Sequence, residues 1–389
     1  MKKGHEVKVI LTKGSLNFVQ AQVYKYLGIE SVYLHDDDFK YPKEENDKGV
    51  LHIELAKWAD HFLVYPASAN TIANLAFGKT DDLLTSIFLA KTDKTTTSIF
   101  PAMNTYMYQH PITQENMDLL KRISIAGKVF IHPPASGELA CGDTGEGKAP
   151  EVSKVLNCIE AINPSINDSS KKVLITTGAT IAPIDPVRYV TNASSGKTGY
   201  ELAIEALKLG HQVKVIAGAQ ATSMLDDLIE LPGYQLERVA TTRDMLAAVE
   251  KDLPSTAIYI SSAAISDLEF NTANGKLKKS QMTNSLEFRQ APDILKFVLD
   301  NKRSDQKVVG FAAETNLEHE VLSEKWNRKP VDLLVGTLVH SGLGNGNEQR
   351  GFNTDNASYK FFSQGKISFE GNLSKQILPQ KIFSSLNNA

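Results

Sequence analysis

The sequence predicts an α/β protein built as two three-layer Rossmann-like domains with mostly parallel sheets. Three observations lead there. Short apolar strands alternate with helical segments along the whole chain. The 389-residue length suits two separate cores. One polar stretch, residues 161–172 (AINPSINDSSKK), interrupts the alternation and reads as a linker. The domains are therefore expected at 1–160 and 173–389.

In the first domain, Val7–Leu11, Phe62–Tyr65, Ser98–Phe100 and Lys128–Ile131 read as buried strands. Ala69–Ala76 and Asn116–Ile125 carry helical periodicity. After the linker come strand Val173–Ile175, helix Gly199–Leu209, strand Gln212–Ala217 and helix Thr242–Glu250. Strands Ala257–Ile260, Val308–Phe311 and Asp332–Val335 follow. At the start, Lys2-Lys3-Gly4-His5 reads as a helix end and its glycine stop ahead of a second strand. A preceding strand, turn and helix, about 20–25 residues, are then expected to be missing. The alternative is that Val7–Leu11 is simply the first strand.

Composition narrows the function. With 42 basic and 45 acidic residues the net charge is −3, so nothing points to bulk nucleic-acid binding, while small anionic substrates would need only a local basic cluster. The two cysteines, Cys141 and Cys158, cannot make a disulfide framework or a four-cysteine zinc site. No apolar run is long enough for a membrane span, and no signal peptide is recognisable, so a cytoplasmic protein is expected. The triplets Gly78-Lys79-Thr80 and Gly196-Lys197-Thr198 fail as phosphate loops, because Ala73 and Thr191 stand where the first glycine is required. Gly342-Leu343-Gly344 reads as part of a mobile loop, not a dinucleotide turn.

In open α/β sheets, ligands bind beyond the carboxyl ends of the strands. His52 heads His-Ile-Glu-Leu, Asn104 ends Pro-Ala-Met-Asn after a strand, and Cys141 lies in Ala-Cys-Gly-Asp. Singly, each has a plain structural reading: a satisfied histidine, a turn-forming asparagine, a small buried thiol. Ser68 and Asn70, in Pro66-Ala67-Ser68-Ala69-Asn70, would also serve as helix caps. Taken together, in this order and spacing, they resemble the flavin-dependent phosphopantothenoylcysteine decarboxylases over about Gly4–Pro150. The resemblance implies an FMN-binding sheet that assembles as a trimer, with Ser68 and Asn70 in the loop packed on the flavin. It implies oxidation of the substrate's cysteinyl thiol to a thioaldehyde, an electron sink for loss of carbon dioxide. His52 would support that step, Asn104 would hold the substrate carboxylate, and Cys141 would return a proton. Gly137, Gly142, Gly145 and Gly147 suit a lid. The family's opening strand, Gly/Ser turn and helix have no counterpart here, and Thr12-Lys13-Gly14-Ser15 differs from its second loop.

The strongest signal is Ile184-Asp185-Pro186-Val187-Arg188-Tyr189-Val190-Thr191-Asn192-Ala193-Ser194-Ser195-Gly196-Lys197-Thr198-Gly199, running into a helix. Backbone amides at such a start form an anion site, and Ser194 is expected to cap the helix. A cap alone does not explain Arg188, Asn192 and Lys197 around the same turn. Ser262–Asp267 follows a strand, Asn274–Lys279 is a basic run in which Lys278 reads as a surface residue, and Lys325 and Lys329 are expected on one helical face. Several cations sharing a triphosphate suit acyl activation by a nucleotide.

With APDIL, GFAAET and FNTDN, these segments resemble the phosphopantothenate-cysteine ligases over about Val173–Leu386, and the domain order is that of the bacterial fusion enzymes. The resemblance implies that CTP and Mg2+ activate the carboxylate of 4'-phosphopantothenate as an acyl-cytidylate, which the amine of cysteine attacks. By it, Asn192 contacts the acyl-cytidylate, Arg188 and Lys197 bind substrate, and Lys276 lies near the reacting carbonyl. Asp267, Phe311, Lys325 and Lys329 contact the nucleotide, and Ala264 does so through its backbone. No metal-ligating set is singled out. Ala182 and Thr198 replace the family's glutamate and methionine. A dimer is expected from this half, and a dodecamer when combined with the trimer. The rival readings are an active ligase carrying an inactive oligomerisation scaffold, and a non-catalytic flavodoxin-like binding protein.

Overall fold

A computed structural model describes residues 4–40, 49–124, 128–162, 170–278, 287–339 and 355–387. The chain forms two compact units, Met1–Val155 and Leu156–Ala389. The expected linker contributes residues 163–169, which lie outside the described residues, as does Gly342-Leu343-Gly344.

The first unit runs β1 (Val9–Leu11), α1 (Ala21–Tyr26), β2 (Val32–Leu34), α2 (Leu51–Trp58), β3 (His61–Ala67), α3 (Ala69–Ala76) and α4 (Leu83–Ala90). It continues through β4 (Thr96–Pro101), α5 (Thr105–Gln109), α6 (Pro111–Arg122), β5 (Val129–Ile131), β6 (Ala135–Glu138) and β7 (Thr144–Lys148). Helix α7 (Val152–Ile162) crosses the division between units. Strands β3-β4-β5 form a parallel sheet, β1 and β2 a separate parallel pair, and β6 and β7 an antiparallel hairpin. Every residue of β4 is buried, as a central strand covered on both faces requires. Leu51 and Leu55 of α2, Ile72 and Leu75 of α3, and Leu83 and Ile87 of α4 make the core. Ile10 and Tyr33 pack against it, which attaches the β1–β2 pair.

His132, just after β5, is only 1% exposed and stacks on Phe100 at 4.2 Å. Among the described residues, neither of its ring nitrogens has a hydrogen-bond partner. Burial, with a smaller contribution from nearby His61 and Lys154, lowers its pKa to about 3. The folded state thus resists a proton that the unfolded chain accepts near pH 6.5. Stability from this site is complete above that pH and is lost as pH falls toward 3.

The second unit continues with β8 (Lys172–Thr177), β9 (Ile181–Pro183), β10 (Tyr189–Thr191), α8 (Lys197–Lys208), β11 (Gln212–Gly218), β12 (Tyr234–Val239), α9 (Thr242–Asp252) and β13 (Ile258–Ser261). Then come β14 (Leu268–Phe270), β15 (Phe288–Gln290), α10 (Ile294–Asn301), β16 (Lys307–Glu314), α11 (His319–Arg328) and β17 (Leu333–Leu338). Strands β18 (Asn356–Ser363) and β19 (Lys366–Ser374) and helix α12 (Leu378–Asn387) complete it. The sheet order is β12-β11-β8-β13-β16-β17-β18-β19. It is parallel from β12 to β17 and antiparallel at β18 and β19. Strand order reverses across β8 and β13, and such a switch point opens a crevice at the carboxyl edge. Among the described residues, no helix is long and apolar enough to cross a membrane.

Helix α8 lies close against β8: a Cβ on Gly199 would sit 2.3 Å from the Thr177 Cβ. Gly199→Ala is therefore expected to lower the thermal midpoint of the second unit, with about 1–3 kcal/mol lost to overpacking, less about 1 kcal/mol of helix propensity gained. An unchanged midpoint would show that the helix can slide. His132→Phe keeps the stack on Phe100 and removes the titration. Its denaturant midpoint is expected to fall less between pH 7.5 and 5 than that of the parent chain, and equal slopes would contradict the account.

Candidate active sites

In the first unit the carboxyl ends of β3 and β4 lie side by side, tied by the Ala102 amide donating to the Ala67 carbonyl at 2.9 Å. Ser68 caps α3, accepting from the Thr71 amide at 3.3 Å, and Asn70 is exposed in the same first turn. Asn104 caps α5: its Oδ1 accepts from the Tyr106 amide at 2.9 Å. That bond fixes the side chain so that Nδ2 turns to Cys141 Sγ at 3.5 Å and Asp143 Oδ2 at 3.4 Å. The thiol also donates to Asp143, at 3.4 Å.

Docking of the β6–β7 hairpin makes this meeting possible. The Met103 amide donates to the Gly147 carbonyl at 2.9 Å, and Thr105 Oγ1 donates to the Glu146 carbonyl at 2.7 Å. A Cβ on Gly147 would lie 2.1 Å from the Met103 carbonyl oxygen, and its φ of +132° suits glycine alone. Leu139 and Gly142 close the tip: the Leu139 amide donates to the Asp143 carbonyl at 2.8 Å, and the Gly142 amide to the Leu139 carbonyl at 2.9 Å. The glycine-rich segment is thus a hairpin clamped at its base with Cys141 at its tip.

His52 sits in the first turn of α2 and is held separately, by Asp38. Asp38 Oδ1 accepts the His52 amide at 3.0 Å, and Oδ2 lies 2.7 Å from the ring Nδ1. An anion at a helix start is favourable, and with a carboxylate at Nδ1 the basic lone pair is left on Nε2. Sequence reasoning passed over Asp38; the Asp36-Asp37-Asp38 run was the available signal.

In the second unit the turn after β8 organises the crevice. The Ala264 amide donates to the Gly178 carbonyl at 2.8 Å, and the Ser266 amide to Thr180 Oγ1 at 2.8 Å. Thr191 Oγ1 donates to the Thr180 carbonyl at 2.9 Å, which brings the end of β10 to the same turn. Asn192 then reaches across, its Nδ2 donating to the carbonyls of Ala264 at 3.2 Å and Ile265 at 3.1 Å. The structure thereby joins Asn192 to Ala264, two of the expected site residues, with Asp267 exposed at the end of the same loop.

Gly196, not Ser194, is the N-cap of α8; it is left-handed, at φ +78°, and makes no side-chain cap bond. A Cβ there would lie 3.0 Å from the Ala221 Cβ, and the close approach of the 221–222 turn explains the glycine. Lys197 starts the helix, with Nζ 3.6 Å from Asp355. Lys325 on α11 pairs with Glu314 at the end of β16. Lys329 is not on the helical face expected for it. It is the C-cap of α11, at φ −139°, and its Nζ is 2.6 Å from Asp293, the N-cap of α10. Phe311 lies half-buried within β16. Asp185 and Arg188 form an ion pair with the Asp185 side chain fully buried, and the guanidinium holds that carboxyl well below the usual carboxylate range. Lys276 is exposed in the segment that this pair contacts. Among the described residues, no cluster of three or more His, Cys, Asp or Glu is arranged to hold a metal ion.

Residues 1–163 match the family described as Flavoprotein, and residues 169–389 match the DNA/pantothenate metabolism flavoprotein C-terminal domain. The chain is 37% identical over 348 residues to the Coenzyme A biosynthesis bifunctional protein CoaBC of Bacillus subtilis (strain 168), covering 88% of this chain and 82% of that one. With the protein of that name from Vibrio vulnificus (strain CMCP6), identity is 36% over 391 residues, covering 99% and 91%. With that of Escherichia coli (strain K12), it is 33% over 369 residues, covering 93% and 85%. The chain belongs to the family of bifunctional coenzyme A biosynthesis proteins. The two matched regions of this family fall on the two units, meeting near the end of α7. In this bifunctional enzyme each unit carries its own cluster, Asn104 with Cys141 in one and Asn192 with Ala264 in the other.

Gly147→Ala is expected to undock the hairpin and separate Cys141 from Asn104. Decarboxylation should fall by about 100-fold, since a misplacement of about 1 Å can cost that much. Ligation should be untouched, as should the fold of the second unit. Equal decarboxylation rates in variant and parent would show that hairpin docking does not matter.

Proposed function

We propose that the second unit joins 4'-phosphopantothenate to cysteine at the expense of CTP, and that the first unit decarboxylates the resulting 4'-phosphopantothenoylcysteine to 4'-phosphopantetheine. The observation that supports the ligase reading best is the contact of the Asn192 amide with the Ala264 and Ile265 carbonyls at the strand-order switch. It sets an amide and two backbone carbonyls where an acyl-nucleotide would lie. The amides at the start of α8, with Lys197 beside them, suit a phosphate. Lys325 and Lys329 suit the triphosphate, and Mg2+ carried by the nucleotide would offset the added negative charge beside Glu314 and Asp293. Asp267, Phe311 and the Ala264 backbone line the nucleotide's path, and Lys276 steadies charge developing at the reacting carbonyl. Arg188 contributes to this substrate site through the segment it contacts.

In the first unit, Ser68 and Asn70 present donors and acceptors at the carboxyl edge of β3, which fits the polar edge of the FMN ring. FMN, when bound, supplies a two-electron acceptor for the substrate's cysteinyl thiol. His52, with its basic lone pair on Nε2, supports that oxidation. Asn104 Nδ2 donates to the substrate carboxylate, and the Cys141 thiol returns a proton to the product. Exposed Phe77 (69%), Tyr106 (80%) and Ile112 (62%) support self-association of this unit, as in the expected trimer, with a dimer through the second. The partners are small molecules in the cytoplasm, with neither nucleic acid nor membrane involved.

One observation favours a second reading, in which the first unit is an oligomerisation scaffold. The β1–β2 pair is separate from β3-β4-β5, so the edge that would carry a flavin is not continuous.

The visible spectrum of the purified protein after FMN loading and gel filtration separates the two. Retained flavin with release of carbon dioxide supports both activities. Colourless protein that still releases pyrophosphate from CTP in the presence of 4'-phosphopantothenate and cysteine selects the scaffold reading. Absence of that release overturns the ligase. Asn192→Ala should lower pyrophosphate release by about 100-fold, the size of effect seen when one polar group at a charge-stabilising site is removed, and should leave decarboxylation unchanged.

A further inference from the structure

Asp185 is 3% exposed, and its carboxylate accepts five hydrogen bonds. Oδ1 takes the amides of Val187 at 2.9 Å and Arg188 at 2.8 Å, closing a tight turn. Oδ2 takes Arg188 Nε at 3.0 Å, Arg188 Nη2, and the backbone amide of Leu277 at 3.1 Å. The last of these spans 92 residues of sequence and leads directly into the segment that carries Lys276. Arg188 Nη2 completes the grip, donating to the Leu277 carbonyl at 2.9 Å. Leu277 is thus held by both of its backbone polar groups, one on each member of a single ion pair.

The same segment is fastened further back. The Ala273 amide donates to the Ile184 carbonyl at 3.0 Å, and Thr272 Oγ1 to the Pro183 carbonyl at 3.0 Å. Between the two attachments, residues 274–276 are exposed and hold no regular secondary structure. A long lysine on such a segment would sample many positions; fixing its neighbour removes most of that freedom before substrate arrives. A turn inside one motif would need only the Oδ1 bonds. The Oδ2 bond to Leu277 has no local function, and a carboxylate accepting from both a guanidinium and a remote amide is a strong, directional anchor.

We propose that Asp185 is the positioning residue for Lys276, and that Arg188 acts in ligation chiefly by completing this anchor. The inference rests on the ligase reading and on the role given there to Lys276. Asp185 touches no reacting atom. It sets the catalytic lysine's backbone, so its loss should appear in the rate of acyl-cytidylate formation. The affinity for CTP, whose other contacts at Asp267, Phe311, Lys325 and Lys329 lie on different segments, should hold.

The test is a double-mutant cycle on the full chain with Asp185→Asn and Lys276→Ala, reading pyrophosphate release and KM for CTP. An amide at 185 keeps the Oδ1 bonds but turns a donor toward Leu277 and Arg188. The expected result for Asp185→Asn is a fall in kcat of about 30–100-fold, within the range that misplacement of a catalytic group produces, with KM for CTP within about 3-fold. In the Lys276→Ala background the same change should have little further effect, because residues acting as a unit are not additive. Trypsin should cut after Lys276 and Lys278 faster in Asp185→Asn than in the parent. If the two substitutions multiply, or cleavage is not accelerated, the proposal is overturned. If Lys276→Ala alone leaves pyrophosphate release intact, the failure lies in the ligase reading and not in the anchor. Arg188→Gln keeps the backbone amides of Val187, Arg188 and Leu277 on Asp185, and removes the guanidinium's bonds to Asp185 Oδ2 and to the Leu277 carbonyl. It provides a milder second variant if Asp185→Asn does not fold, with a smaller kcat loss and the same dependence on Lys276 expected.

Discussion

The turn that leaves β8 is the constraint on which the second unit depends. Gly178, Ala179 and Thr180 accept from or pair with three other segments: the loop after β13, the end of β10 and the start of α9. The backbone can come this close only because its neighbours are small. A Cβ on Gly218 would lie 2.0 Å from the Ala179 carbonyl oxygen, and one on Gly178 would lie 2.7 Å from the Ala221 Cβ. With those approaches made, the buried hydroxyl of Thr180 serves both Ser266 and Thr242, and none of these polar groups is stranded. Asn192 and Ala264 meet as a consequence of that backbone network.

The first unit solves a similar problem by a different route. Its cluster of Asn104, Cys141 and Asp143 is brought together by a hairpin inserted after the last strand of the sheet. Glycine at 145 and 147 lets that hairpin lie directly on the Met103–Thr105 backbone, where Cβ atoms would meet Thr105 Oγ1 at 2.4 Å and the Met103 carbonyl oxygen at 2.1 Å. The two asparagines are held in related ways: Asn104 accepts a helix-start amide through Oδ1, which turns its Nδ2 outward, and Asn192 spends its Nδ2 on two carbonyls. Each amide is oriented before any substrate is present, which reduces the ordering needed on binding.

Charges in both units are anchored through carboxylates that sequence reasoning left without a role. Asp38 orients His52, Asp143 meets Cys141 and Asn104, Glu314 and Asp293 hold Lys325 and Lys329, and Asp185 holds Arg188. Several stood in quoted motifs and were readable there as letters. Asp143 and Asn104, like Asp293 and Lys329, are tens of residues apart, and the separations of the other pairs run from two residues to fourteen, so no common spacing connects them. Local geometry was similarly out of reach at Ser194, where cap preference pointed to a serine but the close approach of Ala221 required a left-handed glycine two residues nearer the helix. Lys325 and Lys329 have helical spacing, yet the helix stops at Arg328 and sends the second lysine to a different partner.

The sequence by itself determined the alternation of strands and helices and the identity of the family, because apolar periodicity and contiguous motifs are local properties of the chain. Helices α3 and α9 and strands β4, β8, β11 and β16 lie where that periodicity places them, within a few residues. The tertiary structure alone decided that β1 and β2 stand apart from β3-β4-β5, that a hairpin delivers Cys141 to Asn104, and that the buried carboxylate of Asp185 grips Leu277. Those outcomes depend on backbone hydrogen bonds and close glycine contacts between remote segments. Such contacts are set by how the elements pack in three dimensions, and they leave no period or spacing in the sequence.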